Sequence, residues 1–118
     1  MMKIGVMVLE GPYQHQAADS AWEFIKAARA KGHQIVGVFF YTDGVHNINR
    51  FMKPPGERVI SKRWSELGAE GIRLVACVTD STYRGLTEEI AVPNVKISGL
   101  GNLAEFLQEA DRFITFGD

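Results

Sequence analysis

The sequence contains one cysteine, Cys77, and this is its only candidate for a strong nucleophile. A thiol reacts as its thiolate, which a following helix N-terminus or a nearby guanidinium stabilises. A helix is predicted to begin at Asp80 or Ser81, and Arg84 is the nearest basic residue in that direction. The carboxylate of Asp80 would oppose their effect. Cysteine is also among the most buried residue types, so the pattern alone favours an inert thiol in the core over a reactive one.

No other set of side chains has the spacing of a known reactive or metal-binding motif. A lone cysteine cannot form an internal disulfide, and neither a Cys-x-x-Cys pair nor a His-x3-His pair is present. The three histidines, His15, His33 and His46, lie in three different predicted segments. The string Ser98-Gly99-Leu100-Gly101 lacks the full spacing of a phosphate-binding loop and indicates a turn. We therefore expect no metal and no organic cofactor.

The first elements predicted around this cysteine form a strand, helix, strand unit. Residues 3–9 and 35–41 are nearly continuous apolar runs, which is typical of parallel strands covered on both faces. Between the two runs, apolar residues recur at helical spacing and predict a helix. Gly32 marks the end of that helix. A turn at Thr42-Asp43-Gly44 is followed by residues 45–52, which form either a short helix or an irregular segment. Residues 39–52 belong either to the core or to a partner-subunit face.

The second half of the chain continues the alternation and brings Cys77 to the end of a strand. A short helix ends near Gly68 after a proline-containing loop, and residues 72–78 form the third strand. The helix that starts at Asp80 or Ser81 includes Glu88 and Glu89, and strands at 95–97 and 112–116 flank a helix with a capping box from Asn102 to Glu105. The predicted fold is α/β, with a five-stranded parallel sheet sandwiched between helices, doubly wound, and residues 1–118 as a single domain.

Reacting groups in such sheets usually lie beyond the carboxyl ends of the strands. This rule selects four segments: residues 10–13, residues 42–44, Cys77 with the residues after it, and residues 98–99.

The composition excludes two classes of function. A net charge of -1 provides no basic field for a nucleic acid backbone, and no apolar run is long enough to span a bilayer. We expect a cytoplasmic protein that binds neither nucleic acid nor membrane directly.

Several short strings occur along the chain in an order and spacing that are specific only when they are taken together. They are Gly11-Pro12-Tyr13 with Gln16-Ala17, Ser20-Ala21 and Phe24; Val38-Phe39-Phe40-Tyr41 with Gly44-Val45 and Asn47; Cys77-Val78; Arg84-Gly85; and Ser98-Gly99-Leu100-Gly101 with Leu103-Ala104-Glu105 and Asp111-Arg112. These strings resemble the DsrE/DsrF-like family, most closely its TusD and DsrE subunits, over nearly the whole chain. Residues 53–62, with Pro54-Pro55-Gly56, depart from the family pattern.

The resemblance implies a sulfurtransferase of a sulfur relay, in which Cys77 is the sulfur-accepting cysteine and carries sulfane sulfur as a persulfide. The implied donor is a TusA-like carrier and the implied acceptor a TusE- or DsrC-like protein, serving either tRNA 2-thiolation or dissimilatory sulfur oxidation. The implied partners are TusB- and TusC-like or DsrF- and DsrH-like subunits in a hetero-oligomer.

In this hypothesis Arg84 supports the anion, while Tyr13 and Asp43 line the entrance to Cys77. The alternative is a non-catalytic scaffold or binding subunit with a buried, inert Cys77. A flavodoxin-like nucleotide-binding module is a third hypothesis, for which the sequence offers no phosphate loop.

Overall fold

The computed structural model describes residues 1–118, which form one five-stranded parallel sheet with helices. In chain order the elements are β1 (Lys3–Val8), α1 (Ala17–Ala30), β2 (Gln34–Phe40), a 3-10 helix (Thr42–Ile48), α2 (Ile60–Ala69), β3 (Leu74–Cys77), α3 (Val78–Tyr83), β4 (Lys96–Ser98), α4 (Leu100–Glu109) and β5 (Arg112–Phe116).

The strands lie in the order β4-β3-β2-β1-β5, and every neighbouring pair is parallel. The chain therefore adds strands in one direction from β1 to β4 and then returns to place β5 on the free side of β1. This reversal is the feature that defines a doubly wound sheet, so the predicted fold class is confirmed.

Helices cover both faces of the sheet, as the apolar character of the strands predicted. On one face the ring of Phe106 from α4 lies so close to Gly37 of β2 that a Cβ there would be 2.3 Å from it. On the opposite face Phe24 of α1 packs on Phe116 with ring centroids 5.7 Å apart. Trp64 of α2 packs edge-on against Phe40 at 5.0 Å on that same face.

The strands β1 and β2 form the centre of a core of 25 buried hydrophobic residues, which include Cys77. The segment from residue 39 to residue 52 is mainly part of this core, because Phe39, Val45 and Ile48 have no exposed surface. Among the apolar residues of the segment Phe51 is the exception, with 64% of its surface exposed. The sequence left two alternatives for this segment, the core or a partner-subunit face. The buried residues belong to the core.

The predicted helix after Cys77 is wrong in both its start and its length. It begins at Val78 rather than at Asp80 or Ser81, and it ends at Tyr83, so Glu88 and Glu89 lie outside it. The backbone N–H groups of Arg84 and Leu86 both donate to the Ser81 carbonyl oxygen. These bonds close the helix with a turn at Gly85, whose φ of 74° favours glycine.

The capping box predicted at Asn102 is also wrong, because the N-cap residue of α4 is Gly99, three residues earlier. Asn102 lies inside the helix, and its side-chain amide donates a 2.7 Å hydrogen bond to the Ser98 hydroxyl oxygen. The asparagine therefore ties the first turn of α4 to the end of β4.

Candidate functional site

Cys77 is the last residue of β3 and also the N-cap residue of α3. It pairs with Ser98 of β4 in the sheet. Because side chains alternate along a strand, Cys77 shares the α4 face with Val75, whose partner on β2 is Phe39. The thiol is free, and only 4% of the residue's surface is exposed. The predicted place of Cys77 near the carboxyl end of the third strand is confirmed.

The helix that follows Cys77 has an unusual distribution of side chains. Its only buried residue is Ser81, and the Ser81 hydroxyl has no hydrogen-bond partner. Its apolar residues point outward instead, with Val78 exposed over 42% of its surface and Tyr83 over 85%. The helix α3 therefore adds no apolar side chain to the core.

Polar contacts with the 3-10 helix hold α3 in place. The Asp80 carboxylate accepts a 2.8 Å hydrogen bond from the backbone N–H of Thr42. Arg84, at the C-cap of α3, donates from Nε to Oδ1 of Asp43 at 2.8 Å and from Nη1 to the Asp80 carbonyl oxygen at 3.2 Å. We call these four residues, Thr42, Asp43, Asp80 and Arg84, the polar anchor.

The polar anchor brings together Asp43 and Arg84, two of the residues that the sequence selected. The guanidinium of Arg84 is also 3.6 Å from the Asp80 carboxylate, so it lies between two carboxylates. Its positive charge is therefore balanced locally by Asp43 and Asp80, which reduces the electrostatic stabilisation that it can give to a thiolate.

The 3-10 helix is itself fixed firmly against the end of β1. A Cβ on Gly44 would lie 1.9 Å from the Val8 carbonyl oxygen, so only glycine allows this approach. The fully buried Asn47 donates from Nδ2 to the carbonyl oxygens of Glu10 and Gly44, each at 2.9 Å. Its Oδ1 accepts a 3.3 Å hydrogen bond from the indole of Trp64. The 3-10 helix is thus the rigid side of the polar anchor.

Thr42 carries backbone strain at the junction between β2 and the 3-10 helix. Its φ is 48°, in the left-handed region that a β-branched residue rarely adopts. Two hydrogen bonds offset the strain: the N–H donates to Asp80, and the hydroxyl donates to the Leu9 carbonyl oxygen at 3.0 Å. Removing Asp80 would take away one of these two supports.

Tyr13 lies apart from the polar anchor in its hydrogen bonding. Its hydroxyl donates to the Arg58 carbonyl oxygen at 2.7 Å and accepts from the backbone N–H of Ile60 at 2.9 Å. It lines a cleft with Asp19 and Glu57 that Cys77 does not reach. Tyr13 thus fastens residues 58–60, which belong to the segment 53–62 that departs from the family pattern, to the loop after β1.

Sequence reasoning missed Asp80 and Asn47 as structural residues of the site. The sequence presents Asp80 as a helix start and as a charge opposing a thiolate, and no local pattern indicates that it contacts Thr42, 38 positions away. Asn47 stands between the apolar residues Val45 and Ile48, and a polar residue in such a place is a usable signal of a buried hydrogen-bonding role.

The structure offers no grouping of three or more His, Cys, Asp and Glu side chains suited to a metal ion. None of its helices is long and apolar enough to cross a membrane.

The model of the DsrE/DsrF-like family matches residues 2–116. The chain belongs to the DsrE/DsrF-like family. Among curated members, the putative sulfurtransferase DsrE of Allochromatium vinosum is 45% identical and covers 99% of this chain and 100% of its own length. The sulfurtransferase TusD of Cronobacter sakazakii is 36% identical over 98% of this chain and 100% of its own. The resemblance stated from the sequence is confirmed.

Solved structures agree with this membership. The ychN protein from E. coli superposes with a TM-score of 0.88 at 25% identity, covering 98% of this chain and 100% of that one. MTH1491 from Methanobacterium thermoautotrophicum, described as a protein of unknown function, has a TM-score of 0.78 at 19% identity and shows the shared fold. Cys77 and the polar anchor thus lie within a DsrE/DsrF-like domain.

Proposed function

We propose that this chain is a sulfurtransferase of a sulfur relay and that it carries sulfane sulfur as a persulfide on Cys77. The observation that carries the proposal is the position of its only thiol, at the carboxyl end of β3 where doubly wound sheets hold their reacting groups. The 45% identity to a protein named as a putative sulfurtransferase supports the same activity.

The reaction is an exchange of one sulfur atom between thiols. The Cys77 thiolate attacks the outer sulfur of a donor persulfide, the donor's sulfur–sulfur bond breaks, and the donor leaves as a thiolate. An acceptor thiolate then attacks the outer sulfur on Cys77, which returns to a thiolate. One bond forms and one breaks in each step, so no external oxidant or reductant is consumed. The chain's own residues need only present the thiol, and no metal or organic cofactor takes part.

The proposed donor is a TusA-like carrier and the proposed acceptor a TusE- or DsrC-like protein. The proposed partner subunits are TusB- and TusC-like or DsrF- and DsrH-like chains. The sulfur then serves tRNA 2-thiolation in one case and dissimilatory sulfur oxidation in the other. These assignments rest on family membership, and the cytoplasm is the compartment in which such carriers would meet.

One observation favours a second candidate function, the non-catalytic scaffold or binding subunit. Cys77 is almost fully buried in the single chain, and it lines none of the surface clefts. A thiol sealed in this way cannot be attacked unless part of the structure moves. In the scaffold function Cys77 is only a small apolar residue of the core.

The test is intact-protein mass spectrometry after incubation with a persulfidated TusA-like carrier and, in parallel, with glutathione persulfide. We expect one added sulfur atom on the native protein, mapped to Cys77 by peptide analysis. Cys77→Ser and Cys77→Ala should gain none while still unfolding cooperatively in urea, at a lower midpoint because the residue is buried in the core.

A native wild-type protein that gains no sulfur from either donor would refute the proposal. A native protein that gains sulfur only after denaturation, with either donor, would establish the scaffold function.

A further inference from the structure

The contacts that hold the short helix α3 against the rest of the protein differ from those of the other helices. An amphipathic helix is normally held by an apolar face that packs on the core. The only buried side chain of α3 is Ser81, whose unpartnered hydroxyl disfavours the packed position because a buried donor without an acceptor loses its bonds to water. Its six residues are too few to be stable as an isolated helix.

The polar anchor therefore supplies the side-chain contacts that fix α3, and the buried Leu86 beyond the helix holds its C-terminal end through an N–H bond to the Ser81 carbonyl oxygen. Asp80 and Arg84 supply its contacts from α3, and Thr42 and Asp43 supply them from the 3-10 helix. The 3-10 helix is fixed to β1 through Gly44 and the buried side chain of Asn47. If the polar anchor breaks, α3 is the side that moves.

Movement of α3 acts directly on Cys77, because Cys77 is both the last residue of β3 and the N-cap of α3. We propose that Asp80 and Arg84 are positioning residues that hold α3 in place and keep Cys77 closed, and that release of α3 exposes the thiol. This inference rests on the proposed function, since it explains how a buried cysteine exchanges sulfur. A closed Cys77 also shields its persulfide from small thiols, which would remove the outer sulfur.

The test is the rate at which a small alkylating reagent, iodoacetamide, modifies the native protein. Because Cys77 is the only thiol, every modified molecule reports on this one residue. We expect slow labelling of the wild type, and labelling about tenfold faster for Asp80→Ala, which removes the acceptor of the Thr42 N–H and one neighbour of Arg84. Asp80→Asn should give an intermediate rate, because its amide oxygen still accepts that hydrogen bond.

The pH profile separates positioning from direct electrostatics. If Asp80 acts by holding α3, its substitution raises the labelling rate by the same factor at every pH. If it acts instead by repelling the thiolate, the midpoint of the profile shifts. Arg29→Gln, which removes an ion pair between α1 and the residue after α2, is the matched control and should label like the wild type.

Global unfolding is measured on each variant by urea denaturation, so that labelling through the unfolded state can be subtracted. The inference is overturned by fast labelling of the wild type, by an unchanged rate in Asp80→Ala, by a shifted midpoint, or by an increase that global unfolding fully explains. None of these measurements involves sulfur transfer. Cys77 could therefore accept a persulfide even if α3 does not control its exposure. Equally, α3 could control the exposure of Cys77 in a protein that transfers no sulfur, and the two experiments would show which is the case.

Discussion

At the scale of single residues, Asp19 is the carboxylate that ties α1 to the loop before α2. It accepts hydrogen bonds from the guanidinium of Arg58 and, at 3.0 Å, from Arg63. Arg63 in turn stacks on the ring of Trp22, with its guanidinium carbon 3.7 Å from the ring centroid. The hydrogen bond from Arg58, together with the charges of both arginines, lowers the pKa of Asp19, although partial burial opposes the shift.

This shift predicts how the protein responds to acid. Because the folded-state pKa of Asp19 lies below its unfolded value, its contribution to stability is complete above the unfolded value and is lost as the pH falls through the folded one. We expect Asp19→Asn to lower the free energy of unfolding by about 1–2 kcal/mol at pH 7, measured by urea denaturation. The difference between the two proteins should shrink in acid below the unfolded pKa.

The control is Glu57→Gln, which removes an exposed carboxylate from the same arginine and should change the free energy of unfolding by less than about 0.5 kcal/mol. A constant difference between Asp19→Asn and wild type down to pH 2 would show that Asp19 does not titrate as described.

Individual residues differ in how far the sequence could predict their place. Cys77 was identifiable because it is the only thiol, and the apolar run before it located the end of its strand. The contact between Asp80 and Thr42 was not, since it joins segments that only the folded sheet brings together. The burial of Cys77 likewise depends on long-range packing and not on its neighbours in sequence.

At the scale of elements, α4 packs closely on β2 at one glycine of the strand, Gly37. The absence of a side chain at Gly37 leaves the space that the Phe106 ring fills, and Arg73 covers that ring from 5.0 Å. The φ of Gly37 is not in the left-handed region, so the need for glycine here is purely one of space.

We expect Gly37→Ala to destabilise the protein by about 1–3 kcal/mol, because the new methyl group overlaps a fully buried ring. Combining it with Phe106→Leu should cost less than the sum of the two single substitutions, as a double-mutant cycle in urea denaturation would measure. Gly101→Ala is the matched control, since its Cβ meets nothing within 4 Å and the helix gains about 0.5–1 kcal/mol. Additive costs at Gly37 and Phe106 would contradict this account.

The elements also show where local pattern misleads. Strands and the longer helices were predictable because their apolar periodicity matches what they bury. The bounds of α3 were not, because this helix buries a serine and exposes Val78 and Tyr83, the reverse of the usual pattern. The order of the strands, with β5 beside β1, cannot be predicted from the sequence of any single segment.

At the scale of the whole molecule, stability is distributed from the middle of the sheet outward. The strands β1 and β2 have neighbours on both sides and contain fully buried residues such as Val6 and Val38. The edge strand β4 has three residues, none of them fully buried, and residues 84–95 before it form no regular helix or strand.

Amide hydrogen exchange followed by mass spectrometry should reflect this distribution. We expect peptides from β1 and β2 to exchange only through global unfolding and peptides covering residues 84–98 to exchange much faster, through local opening. The amides of Cys77 to Tyr83 should exchange at rates between these two, and faster in Asp80→Ala than in the wild type. Equal protection of β4 and β1 would contradict this picture.

The position of β1 between β2 and β5 has a consequence during synthesis on the ribosome. The backbone N–H of Lys3 donates to the side chain of Asp111, 108 residues later, and β5 pairs with β1 along its whole length. At a translation rate of roughly 5–20 residues per second, β5 is synthesised about 5–20 s after β1, and one edge of β1 stays unpaired during that time. Throughout that delay the nascent chain presents an unpaired apolar strand, which is the kind of surface that chaperones bind.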